Sequence, residues 1–419
     1  MKILFLSAYF PPEVGAPAHR AYELPRRWAA AGHSVQVLTG FPNHPTGTVP
    51  PPYRQAMRRG ILKERMAGLT VVRTWLYPAP NRKPWQRILN YGSFGLSAGL
   101  AAPWLDRPDV VVATSPHLLT GLAGWWASRC FRVPFILEIR DLWPQSLLAS
   151  GVGESDSLPI RFLHKLARFL YCRADRIVAV TEPIAQRVRL DGKLSPAKAA
   201  VVEHGVEGAV FRPLPPSAWP PELEELSRGP VISYIGTIGL AHGLTTLLEA
   251  AERIGREQPN ARFLLVGEGA DKSRLMDEAV RRRLDNVRFL PLSPWDQMPA
   301  LINRSALCVA LLKRDATFQT VLPTKLLEYL ACGKAVVLAA DGHARKVLEE
   351  SGGGIAVDPE DALGLADAIL TLLRDPDRRR LCGENGRRYV LARFDLDAQA
   401  HSYLKLIQET LSSCRTRTS

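Results

Sequence analysis

The chain has 419 residues, 46% of them hydrophobic and 23% charged, which excludes a disordered polypeptide and asks for more than one core. Its net charge of +13 is one-sided: residues 1–205 hold 26 Lys and Arg against 13 Asp and Glu, whereas residues 206–419 hold 28 of each. That excess predicts an anionic partner for the N-terminal half, whether membrane surface, nucleic acid or phosphate-bearing substrate, with a merely solvated face as the plain alternative.

The N-terminal KILFLSAYF is a short apolar run that soon meets prolines, and it reads as a first buried strand rather than a signal peptide. The turn YFPPEVGAPAHR (9–20) leads into a helix around Arg20–Ala31. Gly15 in that turn lets the backbone approach a phosphate at the helix N-terminus, although a plain βα turn explains it equally well. No G-x-G-x-x-G follows the strand, so NAD gains little support. SVQVLTG, DVVVATS, FILEIRD and RIVAVTE follow as further strands separated by helical stretches, the pattern of an α/β fold with a parallel sheet. Residues 88–105, ILNYGSFGLSAGLAAPWL, carry no charge, but glycines and serines dilute them below a membrane span. In FILEIRDLWPQS (135–146), Glu138, Arg140 and Asp141 make a charged trio at a strand end, a candidate catalytic group whose alternative is a structural ion pair.

Proline density in FRPLPPSAWPPELEELSRGP (211–230) marks a linker. A second series of strands then begins: VISYIGT, RFLLVGEG, NVRFLP, LCVALLK, KAVVLAA and GIAVD. Two doubly wound Rossmann-like domains are therefore expected, 1–205 and 206–395, with a helix over about 396–419 crossing back to the first. In YIGTIGLAHG (234–243), Gly236, Gly239 and Gly243 punctuate a strand-end turn whose N–H groups suit a diphosphate; Thr237 lies in it and His242 offers a further donor. LLVGEGADKSRL (264–275) repeats the theme with Gly267, Gly269 and Lys272, and the backbone at Pro291 and Leu292 offers an edge for reading a base. TVLPTKLLEYLACGKAVV (320–337) reads as helix, tight turn and buried strand, with Lys325 and Glu328 on one side of the helix. Six scattered cysteines show no paired metal spacing, which suggests a reducing, cytosolic setting.

Taken together, VVEHGVEGAVFRP, YIGTIGLAHG, LLVGEGADKSRL, NVRFL and LLEYLACGKAVV resemble the GT-B retaining glycosyltransferases of family 4 over nearly the whole chain. The resemblance implies two Rossmann-like domains facing a central cleft, with a nucleotide-sugar held mainly by the second. By position, Glu328 matches the second Glu of the family's E-x7-E motif, a ribose ligand, while the first falls at Thr320 and is missing. The family's phosphate-loop Arg and Lys fall at Thr237 and His242, which shifts diphosphate neutralisation toward Lys325, loop N–H groups and Lys313. The family's active-site His falls near Arg140, with Asp141 beside it.

These departures, with RDLWP and PTK, resemble the fucosamine and colanic-acid transferases of bacterial surface polysaccharide. That subgroup implies a polyprenyl-diphosphate-linked saccharide acceptor at the inner leaflet and a peripheral place on the cytoplasmic membrane. It also implies hexosyl transfer with retention and with no metal or other cofactor. A UDP donor is favoured over GDP. Residues 85–105, with Trp85, Tyr91, Phe94 and Trp104 near Arg54, Arg58, Arg59, Arg82, Lys83 and Arg87, are expected to form the membrane and acceptor surface; a buried helix pair is the alternative. Two rival functions remain: a GT-B nucleotide-sugar 2-epimerase, which would convert donor alone, and a basic nucleic-acid-binding protein, which would show steep salt dependence.

Overall fold

The computed structural model describes residues 1–419 apart from 45, 81–83, 116, 150, 152–153, 216–220 and 416–419. Arg82 and Lys83, expected near the membrane surface, and the middle of the proline-rich linker lie outside the described residues. The chain folds as two compact units, Met1–Glu203 with Asp397–Ser419, and His204–Leu396.

The first unit is built on eight strands: β1 (Lys2–Leu6), β2 (Ser34–Gly40), β3 (Ile61–Met66), β4 (Leu69–Thr74), β5 (Val110–Thr114), β6 (Phe135–Ile139), β7 (Arg176–Ala179) and β8 (Ala199–Val201). They lie in the order β3-β4-β2-β1-β5-β6-β7-β8. KILFL and VVVAT are apolar on both faces because helices cover both sides of a parallel sheet. The sheet is parallel as expected except at one edge, where β3 runs antiparallel to β4. Ala67 and Gly68 join them, both with positive φ, as a two-residue hairpin turn requires. The C-terminal helix Leu396–Arg415 contributes to this unit: the Trp28 indole donates to the Ala400 carbonyl (3.2 Å), its ring meets Tyr403, and Arg27 pairs with Asp397.

The second unit carries β9 (Val231–Ile235), β10 (Arg262–Val266), β11 (Val287–Leu290), β12 (Leu307–Leu311), β13 (Val336–Ala339) and β14 (Gly354–Val357), all parallel, in the order β11-β10-β9-β12-β13-β14. In both units the strand order reverses beside the first strand, between β1 and β5 and between β9 and β12. Ligands of open parallel sheets bind beyond the carboxyl ends at such switch points. Tyr9 and His117 therefore lie at one of them, and the 236–243 loop with Lys313 at the other.

The stretch 85–105 is an amphipathic helix, Pro84–Ala101, continued by one 3-10 turn, Ala102–Trp104. Phe94, Ala98 and Ala102 are core residues, whereas Trp85, Ile88, Leu89, Leu96, Leu100 and Trp104 face outward. One of its glycines has a packing use: a Cβ on Gly95 would come within 3.0 Å of Leu119 on the neighbouring helix Leu118–Phe131. Among the described residues no helix is long and apolar enough to cross a membrane.

Candidate active site

In the second unit, the helix Thr324–Ala331 begins immediately after Pro323 and buries Leu326, Leu327, Leu330 and Ala331 against the sheet. The Tyr329 hydroxyl fixes it in place, accepting from the Ile235 N–H (2.7 Å) and donating to the Ile235 carbonyl (2.9 Å) at the end of β9. That clasp brings the first turn of the helix against the glycine loop.

Lys325 is 9% exposed. Its ammonium donates to the Tyr234 hydroxyl at 2.5 Å and lies 3.9 Å from that ring's centre. It also sits beside Gly236, where an added Cβ would meet the Lys325 Cε and Nζ at 3.0 Å. Burial brings its pKa down from 10.5 to about 7, against the pull of Glu328. Burial pushes Glu328 up to about 7, with Lys325 opposing. Among the described residues neither side chain forms an ion pair, and the Glu328 carboxyl has no hydrogen-bond partner, its backbone carbonyl accepting from the Cys332 N–H (3.1 Å). The surface ion pair that their spacing permits does not form.

Gly236 and Gly267 have φ of 143° and 150°. A Cβ on Gly267 would lie 1.9 Å from the Gly236 carbonyl, so this glycine is required by the approach of two strand ends, with or without a ligand. Gly239 is different: its φ is −119° and a Cβ would make only ordinary contact, so local packing does not demand it. Thr237 is exposed on this loop. His242 Nδ1 bonds the Leu311 carbonyl (3.2 Å), and burial, then Lys325, lowers its pKa to about 3, so it is a neutral imidazole. Lys272 donates to the carbonyls of Gly267 (2.9 Å) and Leu290 (3.0 Å) and to Glu268 (2.7 Å), tying the ends of β10 and β11 together just before Pro291 and Leu292.

In the first unit, Gly15 caps the helix Ala16–Ala30 with φ 133°, and only Pro17 comes near its missing Cβ. Glu13 accepts from the N–H groups of Asn43 (2.8 Å), His44 (2.8 Å) and Phe10 (3.3 Å). Burial outweighs those bonds and raises its pKa to about 7.

An aromatic cluster stands over the ends of β1, β5 and β6. The Tyr91 ring stacks on His117 at 3.6 Å, the Tyr9 and Tyr91 hydroxyls are 3.2 Å apart, and Trp143 meets His117 edge-on at 5.7 Å. His117 is 4% exposed, yet among the described residues both ring nitrogens lack a partner. Burial, then Arg140, His44 and Arg87, depresses its pKa to about 3. Asp141 is half-buried, and its carboxyl is raised by burial against the pull of Arg140.

Residues 15–205 match the glycosyl transferase 4-like domain, and residues 217–389 match the glycosyl transferases group 1. The chain belongs to the GT-B glycosyltransferases of family 4. It is 28% identical over 406 residues to WcaI of Escherichia coli (strain K12), named for colanic acid biosynthesis, covering 93% of this chain and 96% of that protein. Sucrose-phosphate synthase from Thermosynechococcus elongatus superposes with a TM-score of 0.76 at 20% identity, covering 98% of this chain and 99% of that one. Anabaena Alr3699/HepE, solved with UDP and glucose, gives 0.73 at 16% identity, covering 97% and 99%.

In this glycosyltransferase, three sequence expectations need correction. Glu138 is fully buried: both its oxygens are used, one by the Arg20 guanidinium (2.8 Å) and one by the Thr114 hydroxyl (2.6 Å), so it positions the strand end and does not meet substrate. Arg140 is spent likewise, donating to the carbonyls of Ser115 (2.7 Å) and Pro17 (3.1 Å). Of the membrane residues, Phe94 is 1% exposed and Tyr91 turns inward onto His117; Trp85 remains outward. Arg58 ends a short helix, Pro51–Arg58, that buries nothing, and Arg59 follows it. Sequence reasoning passed over His117, Tyr9, Trp143 and Tyr234. The one signal for His117 was a histidine three residues after a strand end in VVVATSPH.

Proposed function

We propose that this glycosyltransferase moves a sugar from a UDP-linked donor to a polyprenyl-diphosphate-linked saccharide during synthesis of a bacterial surface polysaccharide, with retention and without a metal. The observation that carries the donor half is the Lys325–Glu328 arrangement. A carboxylate without a protein partner suits ribose hydroxyls, and a buried ammonium beside a glycine loop suits the diphosphate. The N–H groups of Thr237 and Gly239 complete the diphosphate cradle, Gly236 gives Lys325 the room to reach it while its own N–H donates to the Val266 carbonyl (2.9 Å), and Pro291–Leu292 faces the base. UDP is preferred over GDP because the structurally similar Anabaena protein was solved with UDP.

Asp141 orients the acceptor hydroxyl or takes its proton, since burial has already raised its basicity. The leaving diphosphate is stabilised by loop dipoles and Lys325. The likeness to WcaI supports the polysaccharide setting. The basic first unit and the outward stripe from Trp85 to Trp104 support a peripheral place on the inner face of the cytoplasmic membrane. An epimerase would leave that stripe unused, and the family matches give a nucleic-acid function no support.

The test is transfer of label from UDP-sugars to lipid-linked saccharide in anionic vesicles containing EDTA. Label entering the lipid phase with the anomeric configuration kept is the expected result. Donor converted in the absence of acceptor would make the protein an epimerase, and transfer abolished by EDTA would remove the metal-free mechanism.

A further inference from the structure

Two loops meet beyond the carboxyl ends of the paired strands β1 and β2, and two groups of opposite charge tie them together. The turn after β1 runs from Tyr9 to Gly15, and the loop after β2 begins Phe41-Pro42-Asn43-His44. The Glu13 carboxylate serves both. One oxygen accepts from the N–H groups of Asn43 (2.8 Å) and His44 (2.8 Å). The other accepts from Phe10 (3.3 Å), whose carbonyl takes the Glu13 N–H in return (3.3 Å). Arg73, 0% exposed on β4, supplies the complement: its guanidinium donates to the carbonyls of Pro11 (2.5 Å) in the turn and Gly40 (3.3 Å) at the start of the loop.

Each loop carries an aromatic ring to the place where the strand order reverses. Tyr9 and His44 meet edge-on at 4.9 Å, and Tyr9 meets His117 edge-on at 5.0 Å, beside the switch point between β1 and β5 where a ligand of such a sheet binds. A carboxylate is a costly way to pin these loops. Burial lifts the Glu13 carboxyl from 4.5 to about 7, so above pH 7 the folded chain carries a charge that the unfolded chain carries more easily. A cost of this kind belongs to a group that serves function rather than stability.

We propose that Glu13 is a positioning residue for glycosyl transfer: its ionised carboxylate holds the Tyr9 and His44 rings in the arrangement the bound substrate needs, and its protonation loosens them. Glu13 touches no reacting atom. The inference rests on the transferase reading above only for its assay. Protonation turns one oxygen into a donor, which drops a backbone N–H, and weakens the bonds to the other. The titratable and charged groups that face Glu13 are Arg73 on β4, itself paired with Glu64 (2.6 Å), His44 in the second loop, Tyr9 on its own turn and Tyr91 on the Pro84–Ala101 helix. Burial, then Arg87, lowers His44 to about 4, burial raises both tyrosines, and an arginine stays charged. Between pH 6 and 8 Glu13 alone among them changes charge.

The test is transfer in the vesicle assay at saturating UDP-sugar, with UDP calorimetry and thermal melting alongside, for Glu13→Gln and Glu13→Ala. Gln keeps an oxygen for Asn43 and His44 but turns its amide nitrogen toward the Phe10 N–H. At pH 8 the Gln variant is expected to lose at least tenfold in kcat and the Ala variant more, with UDP binding unchanged and the Gln variant melting no lower than the parent. The ratio of parent to Gln-variant kcat should shrink several-fold between pH 8 and pH 6, as the ionised fraction of Glu13 falls from about 0.9 to about 0.1. The double variant Glu13→Gln/His44→Ala should lose less than the two single losses combined. If neither Glu13 variant folds, hydrogen exchange in parent peptides covering Phe41–His44 decides the matter: protection corrected for the intrinsic rate should rise from pH 6 to pH 8. A Gln variant whose kcat and melting temperature fall together would make Glu13 a structural tie and overturn the proposal. So would a kcat ratio independent of pH, additive losses in the double variant, or exchange that ignores pH. A parent that transfers from no UDP-sugar would instead refute the donor assignment, and the exchange arm would then judge Glu13.

Discussion

Lys325→Met separates the two tasks a buried lysine performs, pinning the fold and holding an anion. The ammonium touches Tyr234, but the Tyr234 hydroxyl also donates to the Thr237 carbonyl (2.6 Å), so removing the amine orphans nothing. The fall in pKa from 10.5 to about 7 corresponds to about 5 kcal/mol against the buried charge, at roughly 1.4 kcal/mol per pH unit. Below pH 7 both folded and unfolded chains carry that proton and the full penalty is present. Between pH 7 and 10.5 the folded chain sheds it first, and the penalty fades. The variant should therefore be at least as stable as the parent at pH 6, with a gain that shrinks as pH rises above 7.

Donor binding should move the other way. A charge-assisted bond contributes about 1.5–3 kcal/mol, so the variant should bind UDP-glucose roughly 10- to 150-fold more weakly at pH 6. With a pKa of about 7, the protonated fraction of Lys325 falls from about 0.9 at pH 6 to about 0.1 at pH 8, so the ratio of variant to parent Kd should shrink about tenfold across that range. Glu328 titrates in the same range and would rise further once Lys325 is gone, so both proteins are compared in a Glu328→Gln background. The diester is used because a free terminal phosphate titrates near pH ~6. Chemical denaturation and calorimetry at the two pH values supply both quantities. A variant that is destabilised at pH 6 and binds UDP-glucose like the parent would show Lys325 to be a structural pin and refute the reasoning.

Three further outcomes follow from the same geometry. Glu328→Gln should raise stability at pH 8 by up to about 3 kcal/mol in urea titrations, because the folded carboxyl is raised to about 7; the gain should vanish below pH 4.5, where both states are protonated. Asp141→Asn should keep UDP binding and lose transfer in the vesicle assay, and weakened donor binding would take Asp141 out of the acceptor role. Glu138→Ala strands the Arg20 guanidinium in the sheet end, so unfolding free energy should fall by about 3–5 kcal/mol; a change under about 1 kcal/mol would contradict the buried pair.

Much of the fold was legible because strands buried on both faces read as unbroken apolar runs: KILFL, VVVAT, VISYI and LCVAL all lie at sheet centres. The hairpin edge was not, because Lys63, Glu64 and Arg65 break β3 into a polar-looking segment whose exposure only an edge permits. The glycine loops were found from strand-to-turn punctuation, but the reason for Gly267 is a carbonyl 31 residues away in sequence, at Gly236. The role of Glu138 was hidden because its partner, Arg20, is 118 residues distant. His117 escaped notice because a lone histidine has no spacing to betray it; only the stacking of Tyr91 and the absence, among the described residues, of partners for its nitrogens mark it. Phe94 and Trp85 share one helix and one composition, and the neighbouring helix decides which is core.

The most direct measurement is calorimetric titration of UDP and GDP into the pure protein, with Glu328→Ala alongside. The account predicts micromolar UDP binding, weaker GDP binding, and a loss of at least tenfold in the variant. No binding of either nucleotide, or equal binding by the variant, would contradict the donor site at Lys325 and Glu328.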